Sequence, residues 1–400
     1  MRILMISDVY FPRINGVSTS IATYRESFRA LGHEVTLLAP AYPAAHADDP
    51  DTVRIPSRGL PLDPEDRMMH YRVLSAMRAA LRGRGHDLVH IQTPFVAHYA
   101  GLRLARALGL PVIESYHTYF EEYLYHYVPL LPRGALRVLA RRFSAGQGNA
   151  VDALVVPSRA MHDKLRAYGV TSEMRIIPTG LNLQHFSGGD GAAFRRRLGI
   201  EPERPVLLFV GRVAFEKNID FLLHMMQEVC RDIPAALLLI AGEGPAEPHL
   251  RRLTERLGLT QHVAFAGYLD RETALLDCYA ASDMFVFASR TETQGLVLLE
   301  AMAMGRPVVA LAEMGTRDVL RDGEGALVAA DDVRDFACKV LTLLRHRERR
   351  LELGRRARAY AHTWSNEACA RSLADYYVQL IDRHKAGSAR GALEPRRAQR

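Results

Sequence analysis

The amino-acid sequence predicts an α/β protein with two doubly wound parallel sheets in tandem, one in each of two domains. Short apolar segments alternate with amphipathic stretches, which is the pattern of parallel strands joined by crossover helices. The pattern is interrupted after residue 180 and then starts again. A chain of 400 residues also exceeds what one hydrophobic core usually organises. We therefore expect two domains that face each other across a cleft.

Six apolar segments predict the strands of the N-terminal domain, which we place at residues 1–185. They are RILMISD (2–8), HEVTLLA (33–39), DLVHIQ (87–92), PVIESYH (111–117), ALVVPS (153–158) and RIIPTG (175–180). The segment that follows, LNLQHFSGGDGAAF (181–194), has three closely spaced glycines and little apolar periodicity. We interpret this segment as the interdomain linker.

Six further segments predict the strands of the C-terminal domain, residues 186–365. They are PVLLFVGR (205–212), AALLLIAGEG (235–244), HVAFAGY (262–268), DMFVFAS (283–289), PVVAL (307–311) and GALVAA (325–330). Beyond about residue 331 the pattern is helical. We expect a helix at 366–385 that returns to the N-terminal domain, and a disordered basic tail at 386–400.

Composition narrows the class of protein. The chain is 48% apolar and 24% charged, which is ordinary for a soluble globular protein. The four cysteines are widely separated and form no CxxC pair, so we expect reduced core thiols of a cytoplasmic protein. The first apolar run is too short for a signal peptide, and no run approaches the roughly 20 residues of a membrane-spanning helix.

The segment SRTETQGLVLLEAMAMGRPVVA (289–310) places two acids around a glycine. LVLLEAMAMG predicts a helix closed by Gly305, so that Glu292 lies on the loop after a strand and Glu300 lies inside the helix. Gly295 and Leu296 then form the helix amino terminus, which favours a phosphate at the carboxyl end of a parallel sheet. The alternative is that one glutamate caps the helix at the surface and the other pairs with an arginine.

Other predicted strands end in loops of matching chemistry. GRVAFEKN supplies Arg212 and Lys217, two cations suited to a diphosphate. AGEGP (241–245) is a short glycine turn before a helix, and Gly16 precedes a helix that we expect to start near Ser18. Because these loops all follow strands, we expect them to converge on one cleft.

Other nucleotide and metal motifs are missing or weak. GEGPAE lacks the third glycine of a dinucleotide fingerprint, where Glu247 stands, and neither GxxxxGK[ST] nor HExxH occurs. Asp49-Pro50-Asp51 fits an acid-x-acid metal pattern, but it lies in a proline-rich loop that no predicted strand precedes. We therefore expect no metal site and no nicotinamide cofactor.

A basic segment without acids stands out in the N-terminal domain. Residues 128–147 carry Arg133, Arg137, Arg141 and Arg142 at helical spacing, directly after the aromatic segment 115–131. The net charge of +7 comes almost wholly from arginine. Such a helix is typical of contact with an anionic membrane surface, or it is a packed helix with a solvated arginine face. Both interpretations stay open. Nucleic acid is not expected, since no binding module accompanies the arginines.

Five motifs in order resemble the family 4 retaining glycosyltransferases. They are the glycine loop after strand one, the GR…EKN loop, the GEGP turn, the VAFAGY strand (263–268) and the E-x7-E pair. The resemblance covers residues 1 to about 385. It implies the GT-B architecture, in which a nucleotide sugar lies on the C-terminal domain and the acceptor on the N-terminal one.

The resemblance also implies roles for residues of this chain. Arg212 and Lys217 would hold the diphosphate with the amides of Gly16, Gly295 and Leu296. Glu300 would take the ribose hydroxyls, and Tyr268 with the Gly244-Pro245 turn would flank the base. Glu292 would bind the donor sugar beside Thr293, with His117 near the reacting carbon.

Two departures from the family pattern matter. The first loop has Asn15-Gly16 where many relatives have two glycines. Asparagine tolerates left-handed geometry, so we expect the loop to be kept. IPTGLN (177–182) replaces a commoner NGVD-like segment. The segments IPTGLN and TETQG most resemble the branch that transfers glucose to diacylglycerol, which is close to the lipid mannosyltransferases.

The expected reaction is metal-independent transfer of a hexose from UDP-glucose or GDP-mannose type donors to a lipid or glycan hydroxyl, at the inner membrane surface. No second acid suits a nucleophile, because Glu114 faces back along its strand, so we favour front-face attack. The alternatives are a GT-B nucleotide-sugar epimerase, a transferase with a soluble sugar or polysaccharide acceptor, and a glycan-binding module with a decayed site. A dehydrogenase lacks its fingerprint.

Overall fold

The computed structural model describes residues 1–13, 15–43, 49–60, 63–117 and 133–397. Within them the chain forms two compact units. One unit comprises Met1–Gly180 together with Asn366–Arg400, and the other comprises Leu181–Ser365. We call them the N-terminal unit and the C-terminal unit. The predicted α/β fold class, with two parallel sheets, is confirmed.

The N-terminal unit is built on a seven-stranded parallel sheet of order β3-β2-β1-β6-β7-β8-β9. Its first strand pairs with the second and the sixth, so Ile3 lies between Val35 and Leu88. A separate antiparallel hairpin, β4-β5, stands beside this sheet. The strands are β1 Arg2–Ile6, β2 Glu34–Pro40, β3 Thr52–Ile55, β4 Ser57–Leu60, β5 Asp63–Met69, β6 Leu88–Ile91, β7 Val112–Ser115, β8 Ala153–Val156 and β9 Glu173–Ile176.

The C-terminal unit contains a six-stranded parallel sheet of order β12-β11-β10-β13-β14-β15. Its central strands are apolar throughout because helices cover both faces, and every residue of β10, β11, β13 and β14 is buried. The strands are β10 Val206–Val210, β11 Leu237–Ala241, β12 Val263–Gly267, β13 Met284–Phe287, β14 Val308–Leu311 and β15 Ala326–Ala329.

Helices connect the strands, as the alternating pattern predicts. In chain order they are α1 Gly16–Ala30, α2 Tyr71–Ala76, α3 Arg78–Arg82, α4 Val96–Leu108, α5 Arg133–Gly148, α6 Arg159–Ala167, α7 Gly191–Arg197, α8 Ile219–Asp232, α9 Glu247–Arg256, α10 Ala274–Ala281, α11 Leu296–Ala303, α12 Thr316–Val319, α13 Val333–Arg345, α14 Arg347–Ala361 and α15 Asn366–Arg397. Among the described residues, no helix has the length and apolar character that crossing a membrane would require.

The predicted linker at 181–194 is wrong, because this segment belongs to the C-terminal unit. A Cβ on Gly189 would lie 2.7 Å from the carbonyl oxygen of Leu276, and one on Gly191 would lie 2.5 Å from that of Ala280. The glycines therefore let the backbone pass closely against α10. The division between the units falls at Gly180–Leu181, five residues before the sequence-based boundary.

The backbone of α15 is helical to Arg397, so this helix runs through most of the segment that we expect to be a disordered basic tail. Nearer its start, α15 contributes Ala370, Leu373, Tyr376, Tyr377 and Ile381 to the core of the N-terminal unit. The Tyr377 hydroxyl lies 2.5 Å from Nδ1 of the buried His90.

The four cysteines are free, but they are not all core thiols. Cys278 is buried, Cys230 and Cys369 are half-buried, and Cys338 is exposed on α13. The exposed position of Cys338 follows from the amphipathic character of α13, whose other face buries Phe336 and Val340.

Candidate active site

The candidate site of the C-terminal unit lies at the carboxyl ends of its strands. The chain runs from β10 outward to β11 and β12 on one side, then returns to β13, β14 and β15 on the other. The strand order therefore reverses beside β10, and this is the position at which open parallel sheets bind ligands. Four loops, which follow β10, β11, β13 and β14, meet there.

The loop after β10 carries the two predicted cations. A short 3-10 turn, Phe215–Lys217, ends at Asn218, whose φ of 55° is left-handed and whose side chain donates to the Ala288 carbonyl at 3.1 Å. This turn directs the Lys217 ammonium to Glu292, with Nζ and Oε2 2.7 Å apart. The Lys217 and Glu292 side chains are 19% and 20% exposed, whereas Arg212 is exposed.

The glycines of the GEGP turn hold this loop against its neighbour. The Val213 amide donates to the Glu243 carbonyl at 2.8 Å, and the Ala246 amide donates to the Val213 carbonyl at 2.9 Å. A Cβ on Gly242 would lie 2.0 Å from the Gly211 carbonyl oxygen, and one on Gly244 would lie 2.4 Å from that of Val213. The glycine turn that we predicted for close approach to a ligand thus also packs backbone against backbone.

Tyr268 and Pro245, the predicted neighbours of the base, are both exposed. Tyr268 directly follows β12, and 52% of the surface of this residue is exposed. Its amide donates to the Glu243 carboxylate at 3.3 Å. This edge of the unit therefore offers an exposed aromatic ring beside a carboxylate.

Two glycines, Gly295 and Gly315, fix the loop between β13 and α11. Gly295 precedes α11 with a φ of 98°, a conformation that side chains rarely adopt. The Gly315 amide donates to the Glu292 carbonyl at 2.8 Å, and a Cβ on Gly315 would lie 1.9 Å from the Thr293 carbonyl oxygen. Gly315 was not predicted as a site residue. Its position soon after the predicted strand PVVAL could have indicated it, because the other candidate loops also follow strands. Gly315 holds the backbone of Glu292 and Thr293 in place.

Glu300 lies inside α11, as predicted, but it is 2% exposed and already paired. Its Oε1 accepts from Arg271 Nη2 at 2.5 Å, and its Oε2 accepts from the Tyr279 hydroxyl at 3.0 Å. The charge of Glu300 raises the pKa of Arg271, and burial followed by that charge raises the pKa of Tyr279 well above its usual value. An arginine partner for one acid was the alternative interpretation of this motif. Sequence reasoning missed both Arg271 and Tyr279.

Two predicted residues, Gly16 and His117, belong to the N-terminal unit. Gly16 is the first residue of α1, which therefore starts two residues before the predicted position. A Cβ there would meet nothing within 4 Å. Asn15 is extended and does not use the left-handed geometry that asparagine tolerates: its φ is −156°, and its side chain accepts from the Ser18 amide at 2.8 Å. Asn15 is a helix N-cap, a role for which asparagine is strongly preferred.

His117 follows β7 at the carboxyl edge of the N-terminal sheet. Burial lowers its pKa to about 4, so the ring is neutral near pH 7. Its Nε2 lies 3.2 Å from Oε1 of Gln92, and because an amide oxygen only accepts, this nitrogen carries the proton. Gln92, which sequence reasoning missed, is 1% exposed, and its Nε2 has no hydrogen-bond partner in the described chain.

Two buried acids near this edge have structural partners. The Asp8 carboxylate caps α4 through the Ala97 amide at 3.1 Å and accepts from the Thr93 hydroxyl at 2.8 Å. Burial raises the pKa of Asp8 to about 7. Glu114 contacts His98 Nδ1 at 2.9 Å with both side chains buried, so it is occupied within the unit.

The described residues contain no group of three His, Cys, Asp or Glu side chains that could hold a metal ion. In the acid-x-acid segment, Asp49 is paired instead with Arg25 at 2.8 Å, and Asp51 with Arg29 at 3.1 Å.

The basic helix α5 has a buried face and an exposed face. Leu136, Ala140 and Ser144 point into the unit. The other face exposes Val138 and Leu139, by 51% and 54%, among the exposed Arg137, Arg141 and Arg142. The Arg133 side chain and the aromatic residues at 118–132 lie outside the described part of the chain.

Two family models match the chain, one over each sheet. The model described as Glycosyltransferase Family 4 matches residues 14–185, and the model described as Glycosyl transferases group 1 matches residues 190–360.

Two curated proteins of the same name are similar to most of the chain. The alpha-monoglucosyldiacylglycerol synthase of Streptococcus pneumoniae is 35% identical over 321 residues, which span 78% of this chain and 71% of that protein. The alpha-monoglucosyldiacylglycerol synthase of Acholeplasma laidlawii is 28% identical over 398 residues, which span 96% of this chain and 98% of that protein.

The fold is also found among solved structures. Sucrose-phosphate synthase of Thermosynechococcus elongatus superposes with a TM-score of 0.75 over 95% of this chain and 99% of that one. At 23% identity this likeness shows the two-domain GT-B fold alone.

Proposed function

Because the chain belongs to glycosyltransferase family 4 and is therefore a glycosyltransferase, we propose that it moves a hexose from a nucleotide sugar to a hydroxyl group of a membrane lipid, either diacylglycerol or a glycolipid. The donor is of the UDP-glucose or GDP-mannose type, and the anomeric configuration is retained. The names of both similar proteins support a glucose donor and a diacylglycerol acceptor.

The observation that carries the donor assignment is the Lys217–Glu292 pair at the carboxyl edge of the C-terminal sheet. This ion pair supports the assignment, because it brings a cation suited to a phosphate next to a carboxylate suited to sugar hydroxyls. Arg212 and the amides of Gly295 and Leu296 complete the diphosphate site. No metal ion takes part.

The remaining donor contacts follow from the same edge. Glu292 and Thr293 bind hydroxyls of the donor sugar, and Glu300 binds the ribose hydroxyls. The exposed Tyr268 ring and the Gly244-Pro245 turn flank the base. Fixed cations and amides stabilise the charge that grows on the diphosphate, without reorganisation during the reaction.

Transfer proceeds on one face of the sugar. The bond between the anomeric carbon and the phosphate oxygen breaks, and the acceptor oxygen bonds to that carbon from the same side. The acceptor proton goes to the departing phosphate oxygen. His117 binds the sugar near the anomeric carbon as a neutral imidazole, consistent with its lowered pKa of about 4.

The exposed face of α5 supports a lipid acceptor. Val138 and Leu139 are large apolar side chains in water, and three arginines surround them. Each arginine near an anionic leaflet contributes about 1 kcal/mol, and the apolar pair can enter the interface. We propose that this face binds the inner surface of the cytoplasmic membrane reversibly.

A donor and acceptor screen tests the reaction. UDP- and GDP-hexoses are incubated with lipid extract, and the released nucleoside diphosphate and the glycolipid product are measured. We expect release that depends on lipid. Donor alone distinguishes the alternatives: epimer formed without acceptor indicates an epimerase, and release stimulated by soluble sugars but not by lipid contradicts the lipid acceptor.

A charge-reversal variant tests the membrane surface. Arg133, Arg137, Arg141 and Arg142 are changed to Glu, and sedimentation with anionic and neutral vesicles is measured. The matched control changes four exposed arginines of the C-terminal unit to Glu, so that the net charge changes by the same amount. They are Arg347, Arg349, Arg355 and Arg356. We expect only the α5 variant to lose its binding to anionic vesicles. Equal loss in both variants, or no wild-type binding, contradicts the proposal.

A further inference from the structure

Glu300 is the one buried acid of the C-terminal unit, whose residues 181–365 are all described. A carboxylate in such a position is costly unless its oxygens are hydrogen-bonded. Glu300 has two such partners, and neither comes from its own helix: Arg271 follows β12, and Tyr279 lies on α10.

The two partners bind opposite oxygens of the carboxylate. Arg271 donates to Oε1 at 2.5 Å, and the Tyr279 hydroxyl donates to Oε2 at 3.0 Å. An ionised carboxylate accepts about four hydrogen bonds, two at each oxygen. Each oxygen of Glu300 therefore keeps one acceptor position, and two adjacent hydroxyl groups of a ribose supply two matching donors.

Both partners are themselves held in place. The Arg271 carbonyl accepts from His185 Nε2 at 3.0 Å, and its guanidinium lies 5.9 Å from the centre of the Phe186 ring. Tyr279 is fully buried, with its ring 6.1 Å from that of Phe285. The carboxylate is thus clamped between a fixed cation and a fixed hydroxyl.

We propose that Arg271 and Tyr279 are positioning residues that fix the orientation of the Glu300 carboxylate, and that they thereby make the donor site selective for a ribonucleotide over a deoxyribonucleotide. The inference rests on the proposed role of Glu300 in binding the ribose. A rotated carboxylate would misalign both remaining acceptor positions. Such a rotation reduces the benefit of the ribose hydroxyls and leaves the diphosphate contacts intact.

Calorimetry with three nucleotides tests the inference: UDP, 2′-deoxy-UDP and 3′-deoxy-UDP, or the guanosine series if the wild type prefers that base. The variants are Tyr279→Phe, Arg271→Lys and Glu300→Gln. Tyr360→Phe, which changes another buried tyrosine of this unit, is the matched control. The readout is the ratio of ribo- to deoxyribonucleotide affinity. Because both affinities are measured on one protein, the ratio does not depend on the folded fraction.

We expect the wild type and Tyr360→Phe to prefer the ribonucleotide at least about tenfold, as hydrogen bonds to a charged group require. Glu300→Gln removes most of this preference. Tyr279→Phe and Arg271→Lys reduce it at least about threefold, with pyrophosphate affinity unchanged.

Two results would overturn different parts of the reasoning. If Glu300→Gln loses the preference while Tyr279→Phe and Arg271→Lys keep the wild-type ratio, the two residues do not position the carboxylate, and the ribose role of Glu300 stands. If the wild type itself binds ribo- and deoxyribonucleotides equally, the ribose role of Glu300 is wrong, and the selectivity proposed here is wrong with it.

Discussion

Replacement of Lys217 by alanine separates two effects of one side chain. Lys217 forms an ion pair with Glu292 at 2.7 Å, and it is also the proposed point charge on the donor diphosphate. A charge-assisted hydrogen bond contributes about 1.5–3 kcal/mol, so its loss reduces kcat/KM by about 10- to 150-fold. We expect Lys217→Ala to fall in this range with every donor that the enzyme accepts.

The stability effect is smaller and has a different origin. Both side chains are about four-fifths buried, which places the pair between a surface pair of 0–1 kcal/mol and a buried pair whose disruption costs 3–5 kcal/mol. A cost of about 1–2 kcal/mol lowers the Tm of a unit of this size by about 2–8 °C. Scanning calorimetry measures this shift, and steady-state kinetics measures the rate.

The double variant Lys217→Ala/Glu292→Gln distinguishes the two effects. Lys217→Ala leaves the partly buried Glu292 carboxylate without its ion-pair partner, and Glu292→Gln removes this unpaired charge. We therefore expect the Tm to recover in part while activity stays low. If Lys217→Ala keeps kcat/KM within about threefold of the wild type, or if the double variant regains activity together with Tm, Lys217 acts only through the ion pair and the diphosphate assignment is wrong.

Four further variants or conditions give separate tests. Arg212→Ala should reduce kcat/KM about as much as Lys217→Ala but leave the Tm within about 1 °C, because the side chain is exposed; an equal Tm loss would indicate a structural role. Glu292→Gln should impair transfer and relax sugar selectivity with nucleoside diphosphate affinity nearly unchanged, whereas a matching loss of affinity in calorimetry contradicts a sugar contact. EDTA should leave the rate of the purified enzyme unchanged, and recovery by added Mg²⁺ after a loss would contradict metal-independent transfer. Burial lowers the pKa of His90 to about 3 against about 6.5 in the unfolded chain, so the unfolded chain takes up its proton first and the free energy of unfolding falls as pH drops from 6.5 toward 3. His90→Gln should reduce that slope by about 1.4 kcal/mol per pH unit in urea unfolding, and an unchanged slope would contradict the lowered pKa.

The sequence predicted the strands better than the connections between them. Each of the twelve apolar segments contains a strand, because a sheet covered on both faces needs continuous apolar runs. The missed strands are β3, β4 and β5, none of which is a continuous apolar run: DPEDRMM of β5, for example, offers no apolar alternation. The closely spaced glycines at 188–191 predicted a linker, but Gly189 and Gly191 instead allow close packing against α10.

The sequence indicates those candidate site residues whose proposed role depends on their own chemistry and on their place after a strand. Cations on a loop after a strand, and acids around a glycine, are visible in the sequence itself. Partners brought together only by the fold are not visible: Arg271 lies 29 residues from Glu300, and Gln92 lies 25 residues from His117. Their positions depend on strand order, which no local pattern encodes.

The placement of α15 has a consequence for how the chain folds during synthesis. The core of the N-terminal unit includes Leu373, Tyr376 and Tyr377, which the ribosome makes after the whole C-terminal unit, 181–365. The C-terminal unit is continuous and can close its core as soon as it emerges. The half of the protein that is made first is therefore the half that is completed last, and until then it exposes the surface that Tyr376 and Tyr377 cover. Chaperones that protect nascent apolar surface would have to hold the N-terminal unit, and not the C-terminal one, until translation ends.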